Sequence, residues 1–295
     1  RLDAKLGPIS KATDAPSVAL HSDRRRPVEH DVPLRATDVS VSFGGVRAND
    51  RISIEVRRDE VVGLIGTNGA GKTTLMNAIG GYVPSAGRVE LLGHDVSGLP
   101  AASRARRGLG RTFQAATLFP ELTVRETVMV ALEARGRSGL IETALFSPRA
   151  RSRSKAQRAH AAELIDFLGL GRYAERQISE LSTGTRRIVE LAGLLALDAR
   201  VLCLDEPTAG IAQREAEAMG PLLLEIRKEL GASMLIIEHD MPLIMSISDR
   251  VYCLEAGRVI AEGDPSSVRN NPMVIASYLG SNQATIERSD ALKNG

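Results

Sequence analysis

The sequence predicts an α/β protein: a mostly parallel sheet flanked by helices, with an inserted helical block and a small antiparallel sheet on the N-terminal side. Three observations lead there. Short apolar runs (VVGLI at 61–65, VLCLDE at 201–206, SMLIIEHD at 233–240) are separated by helical stretches, as expected for parallel strands buried on both faces. The first run opens into a glycine-rich loop, GTNGAGKTT at 66–74, and the helix-like TTLMNAIGG. Between about 100 and 185, the apolar residues of TVRETVMVALEAR and AQRAHAAELIDFLGL recur at three- and four-residue spacing, the helical period.

The remaining elements follow in order. From Leu34 to Val56, RATDVSVSF and RISIEV alternate and are broken by Gly44 and Gly45, which predicts antiparallel strands joined by a turn. GRVELLG at 87–93 predicts a further strand beside them. In REAEAMGPLLLEIRKEL the helical pattern continues, but Pro221 predicts a kink or break, because proline has no N–H and its ring crowds the preceding turn. VYCLEAGRVIAEG at 251–263 predicts a hairpin turning at Ala256 and Gly257. The lead-in, 1–33, carries Pro8, Pro16, Pro27, Pro33 and the run Arg24, Arg25, Arg26 without sustained periodicity, and predicts linker or disordered chain. The polar stretch 281–295 predicts a loose tail.

A chain of 295 residues with 43% apolar content accommodates one large α/β domain with insertions, or two smaller ones. With 38 basic against 36 acidic residues, the overall charge calls for no nucleic-acid partner. Cys203 and Cys253 lie inside apolar strand-like runs, which fits small core residues in a reducing compartment rather than a disulfide or metal pair. No run reaches the roughly 18 to 20 apolar residues of a membrane helix, and no signal peptide is visible. The expectation is a soluble, intracellular polypeptide.

The loop at 66–74 carries the most chemistry. Gly66 and Gly71 frame four residues, and Lys72 and Thr73 follow at once, the G-x-x-x-x-G-K-[ST] pattern. Glycines let the backbone curl so that successive N–H groups point at phosphate oxygens. The helix that follows adds its positive end, Lys72 a mobile cation and Thr73 a hydroxyl suited to Mg²⁺. A strand before the loop and a helix after it make a bound nucleoside triphosphate the expected ligand.

Other residues gain meaning from that one. VLCLDE delivers Asp205 and Glu206 at a strand's carboxyl end, where one carboxylate suits Mg²⁺ and the other an attacking water. Ser182, in LSTGT at 181–185, sits at the N-cap position of a long amphipathic helix. Gln114, in RTFQ, is uninformative alone, and a histidine at a strand end, His239, is more often structural than catalytic.

Taken in order, these pieces resemble the ATP-binding cassette, the nucleotide-binding domain of ABC transporters, over about residues 34–280. GTNGAGKTT is similar to Walker A, VLCLDE to Walker B, Gln114 to the Q-loop, LSTGT to the signature and His239 to the switch histidine. The resemblance implies a P-loop NTPase (RecA-like) core with an antiparallel β subdomain and a helical subdomain at about 115–185. It implies ATP and Mg²⁺ as ligands. The phosphates would be held by Gly66, Thr67, Asn68, Gly69, Ala70, Gly71, Lys72, Thr73 and Thr74, and Mg²⁺ by Thr73, Gln114 and Asp205. Glu206 would orient water, His239 would touch the γ-phosphate, and Phe43 would stack on adenine, its alternative being a core residue of the small sheet. Two cassettes would pair head to tail, with Ser182 and Gly184 of one closing over the ATP of the other.

The finer pattern is similar to the ATPases of branched-chain amino acid importers, in RTFQAATLFPELTVRETV, the insertion GLIETALFSPRARSRSKAQRA and IIEHDM. That implies permease subunits, or a fused permease domain, as membrane partners, a solute-binding protein acting indirectly, and a place on the cytoplasmic face of the cell membrane. Urea and other amide-like solutes compete as cargo. The chain starts at Arg1, and with its proline-rich lead-in this fits fusion behind a permease domain. Arg149, Arg151, Arg153, Lys155 and Arg158 of the insertion predict a solvated helix face, or alternatively a contact with acidic lipid or a membrane partner. Three positions depart from the family: Thr183 and Thr185 replace the usual Gly and Gln of the signature, and Ala212 replaces an Asp or Asn expected to contact the partner. A soluble ABC-type ATPase of DNA repair or translation is the alternative, disfavoured by a single P-loop and the lack of a long coiled-coil insertion.

Overall fold

The structure, a computed structural model, describes residues 30–113, 118–135 and 148–278. Residues 1–29, 114–117 (with Gln114), 136–147 and 279–295 lie outside the described residues, as do the side chains of Arg149, Arg151 and Arg153. The chain divides into two compact units.

One unit comprises the described residues of 26–114, 199–207 and 224–295, and holds both sheets. Strands β1 (Leu34–Phe43), β2 (Val46–Val56), β4 (Ala86–Leu91) and the two-residue β5 (His94–Asp95) form an antiparallel sheet in the order β2-β1-β4-β5. The second sheet has the order β10-β9-β3-β8-β7-β6. Its members are β3 (Val61–Gly66), β6 (Leu109–Arg111), β7 (Val201–Asp205), β8 (Ser233–Ile237), β9 (Arg250–Glu255) and β10 (Arg258–Gly263). All its pairings are parallel except the β9–β10 hairpin, which turns at Ala256 and Gly257. This is the predicted α/β, P-loop NTPase architecture.

Burial explains why the strands read so clearly. Every residue of β3, β7 and β8 is buried, so each strand is apolar along its whole length rather than alternating. Each large apolar side chain removed from water contributes roughly 1.5 to 3 kcal/mol. Helix α1 (Lys72–Gly80) follows β3 and buries Leu75, Met76 and Ile79 in a core shared with Val62, Leu64 and Leu235. Cys203 and Cys253 are free and buried, and burial pushes their thiols up to about 12 and about 11. They are core residues, as expected.

The other unit comprises the described residues of 115–198 and 208–223. Its helices are α3 (Val124–Arg135), α4 (Pro148–Phe167) and α5 (Thr183–Ala196), with the first half of α6 (Gln213–Leu230). In α4, Lys155 and Arg158 are exposed, consistent with a solvated face there.

Two expectations need correction. Of the kink or break expected at Pro221, the break does not occur, since helix α6 runs through it. Pro221 is exposed, so the carbonyl its ring leaves unbonded is on the wet side, while Met219, Leu223 and Ile226 are buried on the other face. The stretch from 100 to 185 is also not all helix: α2 (Ala101–Ala105) leads into β6, which hydrogen-bonds β7 through only three residues, too few to show a period of two. Among the described residues no helix is long and apolar enough to cross a membrane.

Candidate functional site

Three neighbouring parallel strands end within two residues of one another, β3 running furthest, to Gly66. Leu64 of β3 lies opposite Ile237 of β8, and Ile237 opposite Asp205 of β7. The segments that leave β3, β7 and β8 therefore emerge along one carboxyl edge, the ligand-binding edge of open α/β sheets. They are the loop 66–74, Glu206, and Glu238 with His239.

The loop's shape follows from its glycines. Gly71, the N-cap of α1, has φ 98° and ψ 7°, and a Cβ there would meet Asn49 Nδ2 at 2.5 Å and the Ala48 carbonyl at 2.6 Å. Asn49 is buried and its Nδ2 donates to the Gly71 carbonyl at 3.1 Å, which pins the loop's far end to β2. Lys72 is 6% exposed, and its Nζ donates to the carbonyls of Gly66 at 2.7 Å and Thr67 at 3.0 Å. Burial lowers the pKa of Lys72, opposed by the negative charges of Glu206 and Asp205. A partly desolvated cation whose hydrogen bonds among the described residues go to two carbonyl oxygens is poised for an anion.

Asp205 ends β7, fully buried. Burial raises its pKa, and Arg111 opposes that rise, with Arg111 Nη2 at 3.5 Å from Asp205 Oδ2. Asp205 Oδ1 has no hydrogen-bond partner among the described residues. Thr112 Oγ1 accepts from the Asp205 N–H at 3.1 Å, and Thr73 is a further hydrogen-bonding influence on the carboxylate. Glu206 holds a left-handed backbone, φ 51°, uncommon for a residue with a long side chain, while its N–H donates to Ile237 at 2.9 Å. That turn aims Glu206 Oε1 at His239 Nε2, 2.9 Å away. The structure thus brings Lys72, Asp205, Glu206 and His239 to one edge.

In the other unit, Ser182 caps α5 with an extended backbone, φ −61° and ψ 159°, and accepts from the Thr185 N–H at 3.2 Å. Its hydroxyl donates to Glu215 Oε1 at 2.9 Å. A Cβ on Gly184 would run into the Glu215 carboxylate. Thr183 and Ala212 are exposed, whereas Thr185 is buried beside Ser182, with 3.0 Å between the hydroxyl oxygens. Phe43 ends β1 at 52% exposure, which does not fit a core residue of the antiparallel sheet. Gln114 lies outside the described residues.

The sequence reading missed Asn49, Arg111, Thr112 and Tyr278, whose hydroxyl accepts from the Gly66 N–H at 2.9 Å. A signal existed for two of them: Arg111 and Thr112 belong to the RTFQ motif that was read only for its glutamine.

A glycine-rich loop between a buried parallel strand and a helix, with carboxylates on the adjacent strand, defines a nucleoside-triphosphate-binding P-loop protein. Comparison narrows the class. The family model described as "ABC transporter" matches residues 49–209, and that described as "Branched-chain amino acid ATP-binding cassette transporter" matches residues 258–284. The chain belongs to the ABC transporter family and is one of its ATP-binding cassettes. The high-affinity branched-chain amino acid transport ATP-binding protein LivG of Salmonella typhimurium is 40% identical over 250 residues, covering 84% of this chain and 98% of the relative. BraF of Pseudomonas aeruginosa, described in the same words, is 36% identical, covering 84% of this chain and 97% of the relative. Among solved structures, the ADP conformation of MJ1267, an ATP-binding cassette of an ABC transporter, aligns with TM-score 0.72 at 30% identity, covering 84% of this chain and 99% of the other.

Proposed function

We propose that this cassette hydrolyses ATP to drive import of branched-chain amino acids, or similarly small solutes, by membrane permease subunits on whose cytoplasmic side it sits. The observation that carries the reading is the Glu206–His239 pair, 2.9 Å apart at the same sheet edge as Lys72. LivG and BraF, named for branched-chain amino acid transport, support the cargo, and the match at 258–284 extends that support to the C-terminal segment.

Each residue then has a task. Lys72 exchanges its two carbonyl partners for the β- and γ-phosphates, aided by loop N–H groups from Thr67, Asn68, Gly69, Ala70, Gly71, Thr73 and Thr74, while Gly66 shapes the root of the loop with its own N–H on Tyr278. The donor set fits a hard cation: Asp205 presents an oxygen with no hydrogen-bond partner among the described residues, and Thr73 an exposed hydroxyl, with Gln114 as the third ligand. Mg²⁺, when bound, neutralises phosphate charge. Glu206 orients the attacking water, and His239, in contact with that carboxylate, registers whether the γ-phosphate is present. Phe43 stacks on the adenine. Ser182 and Gly184 close over the ATP of a second cassette paired head to tail. Positioning and electrostatics supply most of the rate, since phosphoryl transfer leaves little covalent work to the protein. The solute-binding protein acts through the permease.

Isothermal calorimetry and phosphate release test this on two variants. Glu206→Gln keeps ATP affinity while turnover falls by about 10²–10⁴-fold, the usual worth of a general base. Lys72→Ala weakens ATP binding by at least about tenfold, or 1.4 kcal/mol. Abundant hydrolysis in the first, or unchanged affinity in the second, overturns these roles. ATPase stimulation by permease and leucine-loaded binding protein supports the importer, whereas stimulation by nucleic acid revives the repair or translation alternative.

A further inference from the structure

The phosphate loop is held at its root by a residue 212 positions away. Gly66 is the last residue of β3, still paired with Leu254 of β9, but the pairing of β3 with β8 stops at Leu64. The ladder on the β8 side therefore offers Gly66 nothing. Its N–H instead donates to the Tyr278 hydroxyl at 2.9 Å, while its carbonyl accepts from Lys72 Nζ at 2.7 Å. Both polar groups of this one residue are thus occupied, by the C-terminal segment on one side and the loop's own lysine on the other. Only glycine fits here: at φ 144° an added Cβ would collide with the Leu254 carbonyl.

Tyr278 is built into this position. It lies in a helical stretch described over 272–278 and anchored by buried Val274 and Ser277. Burial raises the pKa of its phenol, so the hydroxyl keeps its proton and donates onward to Met241 Sδ at 4.0 Å. Met241 opens helix α7 (Met241–Ile247), two residues after His239. One hydroxyl therefore touches the root of the phosphate loop and the helix that begins beside the Glu206–His239 pair.

The geometry points to Tyr278 as a positioning residue of the nucleotide site: its hydroxyl fixes the Gly66 peptide, so the C-terminal segment sets how firmly the loop 66–74 is preformed for phosphate. This rests on reading that loop as the seat of the ATP phosphates. The competing role is simpler, that the tyrosine only pins the C-terminal segment in place.

Tyr278→Phe removes one oxygen and leaves the ring. With ADP as probe and the full chain, calorimetry should show affinity reduced roughly two- to tenfold, the worth of one neutral hydrogen bond. Hydrogen exchange of peptides covering 61–75 should quicken. Unchanged ADP affinity, with faster exchange confined to 270–278, overturns the proposal and leaves a structural anchor. A second measurement needs no variant, because coupling is reciprocal. ADP bound to the unaltered protein should slow exchange at 270–278 as well as at 61–75, and protection of 61–75 alone overturns the proposal. If the unaltered chain binds no ADP, the reading of the loop fails instead, a distinct result.

Discussion

The Ser182 hydroxyl donates to Glu215 Oε1 over 2.9 Å, and the same carboxylate fills the space a side chain on Gly184 would occupy. A negative group thus sits at the N-terminal end of a 14-residue helix, where the helix dipole favours it. If Ser182 and Gly184 receive the γ-phosphate of a partner cassette, that phosphate is a second anion at the same seat, and Glu215 must leave. In a Glu206→Gln background, Glu215→Ala should lower the ATP concentration for half-maximal dimerisation about three- to tenfold, since such a charge is worth on the order of 1 kcal/mol. Size exclusion with light scattering reads it directly. An unchanged or higher ATP requirement means the carboxylate prepares the loop rather than blocking it.

Arg111 and Asp205 have side chains 4% and 2% exposed, with 3.5 Å between charged atoms. The guanidinium also lies over Tyr82 and Phe113, at 5.2 and 5.0 Å from the ring centres. Removing only the cation leaves a buried carboxylate uncompensated. Arg111→Met should therefore cost about 3 kcal/mol in urea unfolding, and adding Asp205→Asn should return much of that. A double variant as unstable as the single one would mean Arg111 contributes mainly through ring packing.

Asp264 caps the short helix α8 (Pro265–Arg269), accepting from the N–H groups of Ser266 and Ser267 and from both hydroxyls. The serine hydroxyls, then the backbone donors, hold its pKa far below the ordinary 3.8. A depressed carboxylate stabilises the fold fully above its unfolded pKa, and that contribution fades as pH falls through the folded value. Asp264→Ala should lower the thermal midpoint by a few degrees at pH 7. The gap from the unaltered protein should hold down to about pH 5 and shrink only below 3.8. A gap that closes between pH 7 and 5 would assign the effect to another group.

How legible each feature was depends on whether its cause is local. β3, β7 and β8 read directly because both faces are buried, which makes the sequence continuously apolar. The loop 66–74 is legible because its glycines, lysine and threonine act within nine consecutive residues. The break expected at Pro221 is absent, because whether the chain breaks there depends on which face meets water, a tertiary property. Arg111, Glu215 and Tyr278 act across long separations, 33 residues for Ser182 to Glu215 and 212 for Gly66 to Tyr278. No periodicity reports a hydrogen bond between distant side chains. For Phe43 the sequence admits two roles, and only its exposure separates them.

That exposure yields the last prediction. Phe43 ends β1 at 52% exposure, so truncating it removes little buried area and should leave the thermal midpoint of the nucleotide-free protein nearly unchanged. If its ring carries the adenine, Phe43→Ala should cost about 1 to 3 kcal/mol of ATP affinity, the worth of one base–aromatic stack. Phe43→Trp should retain that affinity, because any flat aromatic face suffices. Affinity for inorganic tripolyphosphate, which has no base to stack, should be equal in all three proteins. Calorimetry with both ligands separates the cases: a loss for tripolyphosphate as large as for ATP would place the effect in the loop 66–74 and remove Phe43 from the adenine site.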